Sequence, residues 1–94
     1  MDAKRADVPV LLHTLKGHAG AIESVRVAPG ADQMATGGAD GRLFVYHVSG
    51  PSKGRAFKFS GHTGPIHDVQ FAPGSDLIAS ASGDRSIRIW RNSV

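Results

Sequence analysis

The chain has 94 residues, with eleven Lys and Arg against eight Asp and Glu for a formal charge of +3, and it contains no cysteine. At this length folding buries only about 60 to 65% of the surface that the unfolded chain exposes, so there is one small domain at most, with a thin margin of independent stability. The lack of cysteine excludes a disulfide framework or a thiolate metal site and fits a reducing, cytoplasmic setting, while the mild basic bias favours acidic surfaces in general and selects no partner.

Residues 1–8 read as a flexible N-terminus. The apolar run from Val8 to Leu12 is short and interrupted by Pro9, too brief for a signal-peptide core or a membrane span, so no membrane association is expected. Residues 9–15 predict an outer strand. Ile22, Val25 and Val27 then follow a strand period that skips one position, and an extra residue near Glu23-Ser24 in a β-bulge explains the skip. At Ala28-Pro29-Gly30 proline cannot continue a central ladder and glycine permits positive φ, which predicts a hairpin turn. A short strand from Gln33 to Thr36 leads through the tight turn Gly38-Ala39-Asp40-Gly41 into a third strand, Arg42 to Val48. Its core, Leu43-Phe44-Val45-Tyr46, is continuously apolar, as expected where both faces are covered. Ser49 to Gly54 reads as a turn. The following strand, Arg55 to Ser60, sets Phe57 and Phe59 on one face and Lys58 on the other, and a lysine within a strand suits an outer edge.

The whole pattern recurs 44 residues later, starting at Gly61-His62. Ile66, Val69 and Phe71 skip at His67-Asp68, Ala72-Pro73-Gly74 makes the turn, and strands are predicted at Leu77 to Ser80 and Ser86 to Arg91 around Ser82-Gly83-Asp84-Arg85. A period of about 40 to 45 residues, opened by Gly-His and closed by an aromatic, is that of a four-stranded propeller blade. The expected fold is therefore all-β: an outer closing strand at 9–15, one complete four-stranded blade at 16–60 and a three-stranded blade at 61–94. This is a partial propeller unless other chains or further sequence complete it. Its ends are complementary, since the second blade lacks the outer strand that the N-terminus has to spare.

His62, Ser80 and Asp84 are the residue types of a nucleophilic triad. The repeat places His18, Thr36 and Asp40 at the same offsets, and an enzyme has no use for a copy of its triad in every blade. The expected arrangement is a structural tetrad in which Trp90 donates to Ser80, Ser80 contacts His62 and His62 meets Asp84. Tyr46 stands in for the tryptophan in the first repeat, and its phenol projects from a shorter ring, so that tetrad is expected to be looser. No enzymatic activity follows from these residues. The histidines have neither cysteines nor a carboxylate cluster beside them, so no metal is expected. Gly37-Gly38 leads into a turn and a strand with no helix to bind phosphate, so no cofactor is expected either. The basic residues are dispersed, which disfavours nucleic acid. Lys53, Arg55 and Lys58 form a candidate basic edge.

The Gly-His openings, the Asp40 and Asp84 turns and the closing Trp90 resemble the WD40 repeat family over residues 10–94, with Tyr46-His47 and Trp90-Arg91 where that family usually has Trp-Asp. Leu15-Lys16-Gly17-His18, the run from Arg55 to His62 and the stretch from Ile87 to Val94 are more narrowly similar to the first repeats of Poc-type centriole and basal-body proteins. The family resemblance implies a scaffold that binds other proteins through its narrow top face. Carried onto this sequence, the contacts there would be Glu23, His67, Ala39 and Gly83, with Ala21 and Pro65 beside them. The narrower resemblance implies a microtubule-associated role in the cytoskeleton, with tubulin or centriolar proteins as partners. Two alternatives remain open: self-association into a ring of six or eight blades, and a basic subunit of a ribonucleoprotein complex.

Overall fold

The computed structural model describes residues 8–93, so all but the last position of the expected flexible terminus at 1–8 lies outside it, as does Val94. Seven strands occur among the described residues, and no helix. β1 (Ile22–Val27), β2 (Gln33–Gly38), β3 (Arg42–His47) and β4 (Ala56–Ser60) form one antiparallel sheet in that order. β5 (Ile66–Phe71), β6 (Leu77–Ser82) and β7 (Ile87–Arg91) form a second sheet of three. These are the expected complete blade and three-stranded blade.

Local chemistry sets each ladder. Ile22 pairs with Gly38 and Ser24 with Gly37, so Glu23 is the extra, unpaired residue; His67 takes the same place between Ile66 and Asp68. The bulge resets the side-chain alternation and lets both Ile66 and Val69 face inward, fully buried. β2 and β6 run two residues beyond the apolar stretches that predicted them, because Gly37, Gly38, Ala81 and Ser82 still pair with the bulged ends of β1 and β5. Apolar runs mark burial, and pairing continues past it. Each first hairpin closes through an alanine N–H, Ala28 to the Gln33 carbonyl at 2.9 Å and Ala72 to the Leu77 carbonyl at 3.0 Å. The left-handed residue is Gly74 (φ 76°) in the second hairpin, but in the first it is Ala31 (φ 59°) in place of the expected Gly30.

The two sheets pack face to face. Ala35, Leu43 and Val45 of the first and Ile66, Val69 and Ile78 of the second form one core with Phe59, Phe71 and Trp90 at its margin. At the seam Ser24 Oγ donates to Asp68 Oδ1 at 3.3 Å, the Arg26 guanidinium lies 3.3 Å from the same carboxylate, and Asn92 Nδ2 donates to Gln33 Oε1 at 2.7 Å. The Arg26–Asp68 pair is half-exposed and worth at most about 1 kcal/mol, so apolar burial holds the junction.

The outer strand expected at 9–15 is not formed. These residues carry no strand pairing, and Val10, Leu11 and Leu12 are 70 to 80% exposed. An outer strand needs the open edge of an inner one, and the only third strand in its neighbouring blade, β3, is already paired along that edge by β4.

Candidate functional site

The histidines lie before each sheet, the hydroxyls on β2 and β6, the aspartates in the following turns and the aromatics on β3 and β7, so each constellation ties two adjacent strands and the turn between them to the incoming chain. In the second blade Trp90 Nε1–H donates to Ser80 Oγ at 2.9 Å. The Ser80 hydroxyl meets His62 Nε2 at 2.7 Å, and His62 Nδ1 meets Asp84 Oδ2 at 2.9 Å. With Ser80 donating to Nε2 and the Nδ1 proton directed at the carboxylate, every member is satisfied by a neutral imidazole. In the first blade His18 Nε2 meets Thr36 Oγ1 at 2.7 Å and His18 Nδ1 meets Asp40 Oδ1 at 3.1 Å, and the Tyr46 hydroxyl is hydrogen-bonded to Thr36. The histidine–hydroxyl arm is equally short in both blades, whereas the histidine–carboxylate arm is the longer in the first.

This connectivity is the order of a catalytic triad, yet the surroundings are not those of one. Ser80 is 1% exposed, and its oxygen already accepts from the indole above it. A cleft of about 540 Å³ opens at the opposite end of the sheets, between the hairpins at Ala28 to Gln33 and Phe71 to Leu77, and none of the tetrad residues lines it.

The two aspartates are strongly supported. Asp84 accepts from the Ser86 hydroxyl at 2.5 Å, from His62, and from the Thr63 and Ser86 N–H groups at 3.1 and 2.9 Å. The Ser86 hydroxyl, followed by His62, holds its carboxyl far below the usual carboxylate range. For Asp40 burial acts upward, but the Ala19 N–H, His18 and the Arg42 N–H outweigh it and the net direction is down. Burial pushes the Tyr46 phenol up, against the hydrogen bond from Thr36 and together with the Asp40 charge. Both aspartates therefore titrate lower in the folded chain than the value of about 3.9 expected when it is unfolded. Their contribution is complete above that unfolded value and is lost as pH falls toward the folded one. Urea midpoints followed from about pH 6 to pH 2 should fall steeply for the wild type. Asp84→Asn should start lower at neutral pH and fall less steeply; parallel curves would show that the Asp84 carboxylate does not set the acid limb.

The six expected top-face residues gather at one end of the sheets. The Ala39 N–H donates to the Ala21 carbonyl and the Gly83 N–H to the Pro65 carbonyl, both at 2.8 Å, and His67 Nε2 lies against Gly83. Ala21, Glu23, Ala39, His67 and Gly83 are exposed and Pro65 is half-buried. Lys53, Arg55 and Lys58 are exposed on and beside β4, with the Arg55 guanidinium 5.2 Å from the centre of the Phe57 ring. No group of three metal-ligating side chains occurs among the described residues.

Two features escaped sequence reasoning. Ser86 joins the second tetrad through Asp84 and lies 3.3 Å from His62 Nδ1; its counterpart in the first repeat is Arg42, and that mismatch was the available signal. The Ser24–Asp68 contact joins two positions that the repeat makes equivalent, so a face-to-face stack of blades was its only cue.

No curated protein matches the chain. The WD domain, G-beta repeat family matches residues 9–47 and 54–91; the first stretch holds β1 to β3 with His18, Thr36 and Asp40, and the second holds β4, the outer strand of the first blade, and β5 to β7 with His62, Ser80 and Asp84. With two repeats matched over most of its length, the chain belongs to the WD40 repeat family, whose repeats are in general non-catalytic modules that bind other proteins.

Proposed function

We propose that this chain is a non-enzymatic interaction scaffold of a larger cytoplasmic assembly, associated with microtubules, as at a centriole or basal body. One observation carries the scaffold reading: the two histidine–hydroxyl–aspartate sets that resemble a catalytic triad are consumed in the frame, while the exposed surface is built largely of turns, a basic edge and apolar sheet faces. Such a surface works through many weak contacts on a rigid support. The cytoskeletal part is supported by the similarity to Poc-type repeats at Leu15 to His18, Arg55 to His62 and Ile87 to Val94. The edge formed by Lys53, Arg55 and Lys58 complements an acidic protein surface such as that of tubulin.

Co-sedimentation with polymerised tubulin tests this reading. The wild-type chain should pellet with microtubules, and the triple variant Lys53→Glu, Arg55→Glu, Lys58→Glu should lose that binding by an order of magnitude or more. A wild type that stays in the supernatant, or a variant that pellets equally well, overturns it.

A further inference from the structure

We propose that copies of this chain join head to tail, residues 12–15 of one copy pairing with β7 of the next as the missing outer strand of its second blade. The inference is independent of the microtubule reading and rests on the junction already present inside one chain. β4 closes the first blade by pairing Leu43 with Phe59, Phe44 with Lys58, Val45 with Phe57 and Tyr46 with Ala56. Moved along by one repeat, the same register pairs Ile87 with Leu15, Arg88 with Thr14, Ile89 with His13 and Trp90 with Leu12. The two elements to be joined are each without a partner among the described residues: β7 is bonded only to β6, and residues 9–15 belong to no ladder. An unpaired strand edge beside an unpaired apolar segment is a template for strand addition.

The faces match as the edges do. Within the chain Leu43 and Val45 are fully covered by Ile66 and Val69. The repeat equivalents of Leu43 and Val45 are Ile87 and Ile89, 72% and 62% exposed, and those of Ile66 and Val69 are Ile22 and Val25, 54% and 48% exposed. The exposed β7 face of one copy thus has the composition that the exposed β1 face of another is built to cover. Polar groups at the seam agree as well. Inside the chain Ser24 and Arg26 meet Asp68 and Gln70, whose amide oxygen, set by its neighbours, lies 3.0 Å from Arg26 Nε. Between copies Asp68 and Gln70 would meet Ser24 and Arg26, the same four groups in exchanged order, with no like charges opposed. A contact of this kind is heterologous, and for the 94 residues used in the test below, which bring two blades per copy, it closes at six or eight blades, as a trimer or a tetramer.

One difference weakens the second junction relative to the first. Gly37, against which Ile66 seats closely, is replaced at the equivalent position by Ala81, so Ile22 of the next copy is held further out. The junction between copies is therefore looser than the one within a copy, and removing that methyl should tighten it.

The test uses the 94-residue chain, which has no cysteine of its own. Sedimentation should show a trimer or tetramer in equilibrium with monomer, and Ala81→Gly should lower the dissociation constant several-fold. The variant Thr14→Cys/Arg88→Cys, oxidised in solution, should give a ladder of linked copies. Thr14→Cys/Ile89→Cys, one residue out of register with its side chains on opposite faces, should not. Far-UV circular dichroism confirms that each variant is folded. A monomer at all concentrations with unlinked cysteines, or equal linking by both pairs, overturns the proposal. A folded monomer that still pellets with microtubules would leave the microtubule reading standing and assign these faces to blades of another sequence.

Discussion

Ser80→Ala is expected to lower the stability of the chain by about 2 to 4 kcal/mol, although it removes a single oxygen atom. That oxygen accepts from the Trp90 indole at 2.9 Å and meets His62 Nε2 at 2.7 Å, in a place where the serine is 1% exposed. Losing two ordinary hydrogen bonds would cost about 1 kcal/mol each, but here the buried His62 ring nitrogen and the half-buried Trp90 indole N–H are left with nothing to bond, which adds a desolvation penalty of about 1 to 3 kcal/mol for the buried group and less for the other. Against a total of roughly 5 to 10 kcal/mol for a domain of this length, such a loss removes a large share of stability. Ser80→Thr keeps the hydroxyl and places in the second blade the residue that Thr36 supplies in the first, so it should cost markedly less. Trp90 is the only tryptophan in the chain and part of the tetrad itself, so its fluorescence in a urea titration reads this blade directly. Equal losses for Ala and Thr would show that shape at position 80, and not the hydroxyl, matters.

Much of this frame was legible because it is local. Strand alternation, the skip at Glu23 and His67, and the Ala-Pro-Gly turns depend on residues a few positions apart, and the ladders follow them. The tetrads join residues 18 and 22 positions apart, but the repeat displays each twice, which separated frame from catalytic pattern before any distance was known. What escaped depends on space. The pattern at Val10 to Leu15 is that of a strand, yet a strand exists only where an open edge receives it, and β4 already takes the edge of β3. The choice of Ala31 over Gly30 for the left-handed position shows the same limit, since composition marks the turn without assigning its dihedrals. Ser86 was hidden for another reason: it departs from the repeat, and reading by repetition passes over what is not repeated.

Gly37→Ala should destabilise the chain by about 1 to 3 kcal/mol by forcing the two blades apart. In a strand interior the exchange of glycine for alanine would ordinarily stabilise by about 0.5 to 1 kcal/mol, because the unfolded chain loses freedom. Here an added Cβ would fall well inside van der Waals contact with Ile66 Cγ2, and it would lie 3.0 Å from Ile66 Cβ and 3.2 Å from Val69 Cγ1. Those side chains are branched, fully buried and fixed by the pairing of β5 with β6, so neither can swing aside without leaving the core. The sheets must separate instead, and that loosens Leu43 and Val45 beneath Ile66 and the edge contact between Phe59 and Trp90, whose ring centres are 5.6 Å apart. The repeat contains its own control. Ala81 occupies the equivalent position on a face that no other blade covers among the described residues, so in a dilute, monomeric sample Ala81→Gly should change stability by only the propensity difference, and in the destabilising direction. Chemical denaturation of the two variants side by side is therefore expected to show a large loss from adding a methyl group at 37 and a small one from removing it at 81. If both substitutions followed the ordinary glycine–alanine preference, the junction between the blades would not be the close-packed core described above.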